Sequence, residues 1–229
     1  RIESNEQNVI QTAYHILVAS SPELLEQGKG DIWDSGKIES DASQWITYQG
    51  KTLKCNASYY WKVKIDTNKG ATNWSAPAFW TTGLFNEADW QGQWIGLDRA
   101  APGDSETQWS RLAARYLRKE FAVKKSVKRA TVHIAGMGLY ELFINGQRIG
   151  NQVLAPAPTD YRKTILYNTY DVTSLLQTEN AIGVTLGNGR FYTMRQNYKP
   201  YKIPTFGYPK LRLNLIVEYA DGSKETIAT

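Results

Sequence analysis

The chain has 229 residues, of which 41% are hydrophobic and 21% charged, and 27 Lys and Arg against 22 Asp and Glu give it a net charge of +5. That balance is ordinary for a globular protein of one or two domains and sets aside whole-chain disorder. No apolar run approaches the ~20 residues of a membrane span, and a single cysteine, Cys55, rules out an internal disulfide or a cysteine-based metal cluster.

Helical periodicity is nearly absent. Ser21-Pro-Glu-Leu-Leu-Glu-Gln-Gly28 reads as one short helix: Ser21 caps it, Pro22 takes the first helical position and Gly28 stops it. Strands are expected at Ala13–Ser20, Ser58–Thr67 and Ala78–Thr82. A second set is expected at Ala114–Val123, Ala130–Ala135, Leu139–Ile144, Ala181–Leu186 and Leu211–Tyr219. Asn145-Gly146 suits a tight hairpin turn, because both residues tolerate positive φ. Asp221-Gly222 turns the chain from Leu211–Tyr219 into a final strand beginning at Glu225. Thr173 to Leu176 reads as a single turn and Ala100 to Leu112 as a polar loop. A boundary falls between Gly83 and Asp89, giving one domain over 1–84 and another over 90–229 that Trp90-Gln-Gly-Gln-Trp-Ile-Gly96 opens. Short strands separated by Gly, Asn, Asp and Pro predict an all-β protein of two antiparallel β-sandwich domains.

Most chemical motifs fail on context. Lys124-Lys125-Ser-Val-Lys128-Arg129 is the one dense basic cluster, and between two strands it reads as a solvated turn; without a recognition helix, nucleic acid is not an expected partner. Gly136-Met-Gly138 and Gly187-Asn-Gly189 lack the following helix that a nucleotide site needs. His15 and His133 lie on strand runs and read as core or surface positions rather than zinc ligands. Trp61 reads as core. Sugar binding has some support, since 8 Trp and 14 Tyr supply aromatic faces. Loops of the second domain carry Asn145, Asp160, Tyr161, Asn188, Arg190 and Tyr192, whose amide, carboxylate, guanidinium and phenol groups could fork to hydroxyls. The competing reading makes Asn145-Gly146 and Asn188-Gly189 plain turns and Asp160 a turn anchor.

Gly138-Leu-Tyr-Glu-Leu-Phe-Ile-Asn-Gly-Gln-Arg-Ile-Gly150, Thr159-Asp-Tyr-Arg162, Tyr167-Asn-Thr-Tyr-Asp-Val172 and Leu186-Gly-Asn-Gly-Arg-Phe-Tyr192 together carry a resemblance. In this order they resemble the N-terminal jelly-roll domain of bacterial α-L-rhamnosidases, glycoside hydrolase family 78. Trp33-Asp-Ser-Gly36 and Trp74-Ser-Ala-Pro77 resemble the fibronectin-III-like, immunoglobulin-like module that precedes it. The resemblance implies a non-catalytic accessory region, a downstream helical barrel that performs inverting hydrolysis of terminal L-rhamnose, and rhamnose-containing glycans as ligands. It implies no organic cofactor, no catalytic residue within this chain, and a bacterial periplasmic or secreted location. It also implies at least one more strand after Ala228-Thr229. Some relatives of this type hold L-rhamnose through calcium bound by an acidic residue, an Asn and carbonyls; here Ile144 precedes Asn145 and supplies no carboxylate. Pro156-Ala-Pro158 and Gly189-Arg-Phe-Tyr192 stand where two family tryptophans would be. A stand-alone carbohydrate-binding module and an adhesin-like assembly of β-modules are the alternatives.

Overall fold

The structure, a computed structural model, describes residues 3–99, 112–192 and 206–229. The loop expected over Ala100 to Leu112 lies outside the described residues except at its last position. The chain forms two compact units, Arg1–Phe85 and Asn86–Thr229. It is almost wholly antiparallel β-structure, and among the described residues no helix is long and apolar enough to cross a membrane.

The first unit, immunoglobulin-like, holds β1 (Gln11–Ala19), α1 (Pro22–Glu26), β2 (Trp33–Glu39), β3 (Ser58–Thr67), β4 (Gly70–Ala71) and β5 (Ala78–Thr81). β3 lies beside β1, β2 covers the other edge of β1, and β4 and β5 share the far edge of β3. The helix forms as its residues dictate: the Ser21 hydroxyl accepts from Leu24 N, Pro22 spends no donor, and Gly28 takes φ 73°. Its Leu25 is fully buried against Leu17 and Ala19, with Tyr60 and Trp74 packed alongside. The opposite face of the sheet presents Tyr14, Ile16, Trp61, Val63 and Ile65 to an open cleft of about 840 Å³. Trp61, expected as core, is therefore only half-buried.

The second unit begins with a 3₁₀ turn at Glu87–Asp89 and β6 (Ile95–Gly96). Then come β7 (Arg115–Ala122), β8 (Val127–Met137), β9 (Leu139–Ile144) and β10 (Gln147–Ile149). β11 (Tyr167–Asp171), β12 (Glu179–Gly187), β13 (Lys210–Tyr219) and β14 (Lys224–Ala228) complete it. One sheet runs β10-β9-β12-β7 and the other β11-β8-β13-β14, with β6 paired to the start of β13. Alternation sends Ile182, Val184 and Leu186 of β12 inward with Tyr140, Leu142 and Ile144 of β9. They meet Val132 and Ile134 of β8 and Leu211, Leu213, Leu215 and Val217 of β13. Each such side chain stabilises the fold by roughly 1.5–3 kcal/mol, so these rows hold the sandwich together.

A polar clamp fixes the entry segment against β13. Arg212, 7% exposed, donates from Nε to Gly92 O at 2.7 Å, pairs with the Glu87 carboxylate and lies over the Trp90 ring. Asn214, fully buried, accepts from Gly92 N at 2.8 Å and donates to Asp89 O at 3.1 Å. The Thr229 hydroxyl donates to Gln93 O at 2.7 Å. A Cβ on Gly92 would stand 2.4 Å from Leu213 O, so glycine is what permits this approach. Behind it His133 is fully buried, with Nδ1 3.0 Å from the Thr169 hydroxyl and its ring edge-on to Tyr167. The basic cluster is tied to acids: Lys125 reaches Asp221 at 2.8 Å and Arg129 reaches Glu218 at 2.5 Å.

Removing one partner of a buried hydrogen-bonded pair leaves the other desolvated, at about 1–3 kcal/mol each. Asn214→Ala is expected to cost roughly 2–3 kcal/mol in urea unfolding, and a loss below about 0.5 kcal/mol would contradict the clamp. Burial, aided by the Arg129 charge, pushes the His133 imidazole down from 6.5 to about 4. The unfolded chain then binds the extra proton, so stability falls as pH drops from about 6.5 to about 4 and levels off below that. Unfolding midpoints across that window should fall less steeply in His133→Gln than in the parent.

Candidate functional site

Five of the six residues singled out for sugar contact sit at one end of the second unit; the sixth does not. β9 and β12 pair from Ile144↔Ile182 at one end to Leu139↔Gly187 at the other. Asn145 follows the first end and Asn188 the second, which separates them by on the order of 20 Å at 3.4 Å per residue.

Asn145 is held in a hairpin turn, with φ 52° followed by Gly146 at 81°. Its side chain donates to Leu175 O and to Asn180 Oδ1, each at 3.0 Å, and accepts from Ala181 N at 2.9 Å. Asn180 is itself buried and closes on Gln177 through two further bonds of 2.8 and 2.6 Å. The geometry gives Asn145 the work of tying the β9–β10 turn to the start of β12.

At the other end Asn188 opens a turn in which Tyr192 N donates back to Asn188 O at 3.2 Å. Gly189 is required there, since φ is 52° and a Cβ would meet the Leu139 side chain at 2.9 Å. The Asn188 amide donates to Leu112 O at 3.1 Å, while its Oδ1 is buried with no partner among the described residues. Tyr161 stands edge-on to Phe191 and Phe206, with ring centres 5.2 and 5.3 Å away, and those two phenyl rings stack on each other. Tyr192 stacks on Tyr208 at 5.7 Å. Burial raises the Tyr161 phenol above its usual range, with the nearby Arg190 charge opposing. Arg190 is exposed at the rim. Phe206 and Tyr208 escaped the sequence reading; their signal was the aromatic-Gly-aromatic-Pro run Phe206-Gly-Tyr-Pro209 ahead of β13.

Asp160 joins this end as a turn anchor. Its carboxylate accepts from Arg162 Nε at 2.9 Å and Nη2 at 3.2 Å, and its carbonyl accepts from Lys163 N and Thr164 N. The Arg162 guanidinium holds the Asp160 carboxyl below the ordinary carboxylate range. Glu141 pairs with Arg148 at 3.3 Å, and Asp171 accepts from the Thr173 amide at 2.9 Å and hydroxyl at 2.6 Å. Each acid in the recognised motifs thus serves a turn or an ion pair. Among the described residues no group of three or more His, Cys, Asp and Glu is placed to hold a metal ion. A calcium site built on Asn145 or Asp160 does not fit this arrangement, because the Asn145 amide oxygen accepts from Ala181 N and both Asp160 carboxylate oxygens accept from the Arg162 guanidinium.

Two family models match in tandem: an N-terminal immunoglobulin domain of the Rha78A type over residues 1–86, and the α-L-rhamnosidase N-terminal domain over 125–229. An α-L-rhamnosidase of Formosa agariphila is 38% identical over 93% of this chain, which covers 24% of that protein. The structure of an α-L-rhamnosidase from Dictyoglumus thermophilum superposes with TM-score 0.87 at 40% identity, covering all of this chain and 26% of that one. One from Aspergillus terreus superposes with TM-score 0.83 at 31% identity, covering 98% and 25%. The chain therefore spans about a quarter of the length of the relatives it matches. With both units matched in order, the chain belongs to the α-L-rhamnosidase family and corresponds to that family's N-terminal region.

Proposed function

We propose that this chain is the non-catalytic accessory region of an enzyme that hydrolyses terminal α-L-rhamnosyl groups in a downstream barrel. The observation that carries the reading is the coverage: nearly the whole chain aligns, yet it accounts for only 24% of one rhamnosidase and 26% of another. The state of the acids supports it. Glycoside hydrolysis needs two carboxyl groups about 5–9.5 Å apart with one free to give a proton. Glu141, Asp160 and Asp171 are instead committed to Arg148, to Arg162 and to the Thr173 turn. What the chain offers is a stiff β-support for its neighbour.

A second reading, a sugar-binding end, rests on the convergence of Tyr161, Asn188, Arg190 and Tyr192 and on the unpartnered Asn188 Oδ1. Aromatic faces beside an amide and a guanidinium suit a pyranose.

Two measurements separate these readings. The 229-residue chain is expected to release no nitrophenol from 4-nitrophenyl α-L-rhamnopyranoside, and turnover by the chain alone would overturn the accessory assignment. Calorimetric titration with L-rhamnose, with calcium and again with chelator, addresses the second. Heat that disappears in Tyr192→Ala but persists in Asn145→Ala would support the Asn188 end. Absence of heat in both buffers would refute it and leave the structural role.

A further inference from the structure

The outer surface of the sheet β10-β9-β12-β7 belongs neither to the core nor to the Asn188 end. Strand register places Tyr116 and Arg118 of β7 on it, facing across β12 to Glu141 and Phe143 of β9. Tyr116 is 81% exposed, the most open large hydrophobic side chain of the described part of this unit. A single exposed aromatic means little by itself, but its neighbours are unusual. Arg118 pairs with Glu120 at 2.5 Å, and Arg148 of β10 pairs with Glu141 at 3.3 Å. All four charged side chains are at least 40% exposed, so the pairs contribute little to stability. The two pairs cancel their own charges, and with the exposed Glu179 at the head of β12 on the same side the face is rich in hydrogen-bonding groups and carries no net positive charge.

Gly183 adds an independent observation. It lies in the interior of β12 with Arg118 on one side and Phe143 on the other. Its backbone is one that any residue adopts, and a Cβ there would meet only the Phe143 Cβ, at 3.8 Å. Glycine in a strand interior costs stability, and here neither turn geometry nor crowding among the described residues calls for it. A close approach by a bound molecule would call for it. The rows on β7 and β9 stand two strand spacings apart, about 9.5 Å, which leaves a shallow trough with Gly183 as its floor.

We propose that this face binds a neutral oligosaccharide lying along β12. Tyr116 and Phe143 offer ring faces, and the two ion pairs offer guanidinium donors and carboxylate acceptors to neighbouring hydroxyls. A face without net positive charge does not suit a polyanion, and the buried centre of a protein interface is depleted of such charges. The enzyme reading enters only in the choice of a rhamnose-bearing probe.

The test is electrophoresis of the 229-residue chain through gels cast with a soluble neutral rhamnan, against gels without it. The parent chain should be retarded, and Tyr116→Ala should weaken that retardation about ten-fold. Gly183→Val should abolish it while leaving the unfolding temperature equal or raised, because a β-branched residue suits an open strand position. No retardation of the parent, or retardation that survives both substitutions, would overturn the proposal. Loss in Tyr192→Ala with full retention in Tyr116→Ala would also overturn it, assigning binding to the Asn188 end. Nitrophenol release is read separately, so failure here leaves the accessory assignment standing.

Discussion

The alternation of side chains along β12 is the constraint on which the second unit depends. Ile182, Val184 and Leu186 must face the other sheet to bury their apolar surface, and a slip of one residue would turn all three to solvent. Once those three are committed inward, Gly183 and Thr185 face out, and the pairings to β7 and β9 fix every neighbour on that surface. The same register sends Asn145 and Asn188 to opposite ends. Residues close in a motif list are thereby parted by the length of a strand.

The second sheet solves a different problem. The outer side of β13 carries Arg212 and Asn214, which would be poorly placed on an apolar-covered face unless fully paired. The entry segment supplies those partners in its own backbone, and Gly92 lets that backbone lie close. Hydrogen-bond geometry thus sets where the chain enters the sandwich, as apolar burial sets how the sheets face each other. A buried neutral His133 beneath the same segment makes that arrangement sensitive to acid.

Much of the fold was legible because strand periodicity is local. β3 and β9 fall at the expected residues, and the Ser21–Gly28 helix forms with its cap and stop. β2 and β11 were not read as strands: Trp33-Asp-Ser-Gly36 and Tyr167-Asn-Thr-Tyr-Asp171 look like turn chemistry until pairing with β1 and β8 overrides it. Trp61 was read as core, but that expectation assumed a covering layer where the described residues leave a cleft. The candidate site was harder, since it depends on which loops share an end. Asn145 was grouped with Asn188 by composition, whereas Phe206 and Tyr208 are distant in sequence and enter only through ring contacts. The clamp was invisible for the same reason, its partners lying more than a hundred residues apart.

In the proposed accessory role, the chain is expected to act on its neighbour through contact. Trans-association measures this most directly: the 229-residue chain is mixed with the downstream barrel that the proposed function calls for, expressed as a separate remainder, and their binding and the rhamnoside turnover are followed together. The account predicts a weakened remainder that binds the added chain and recovers turnover. A remainder that is fully active alone and does not bind the chain would contradict it.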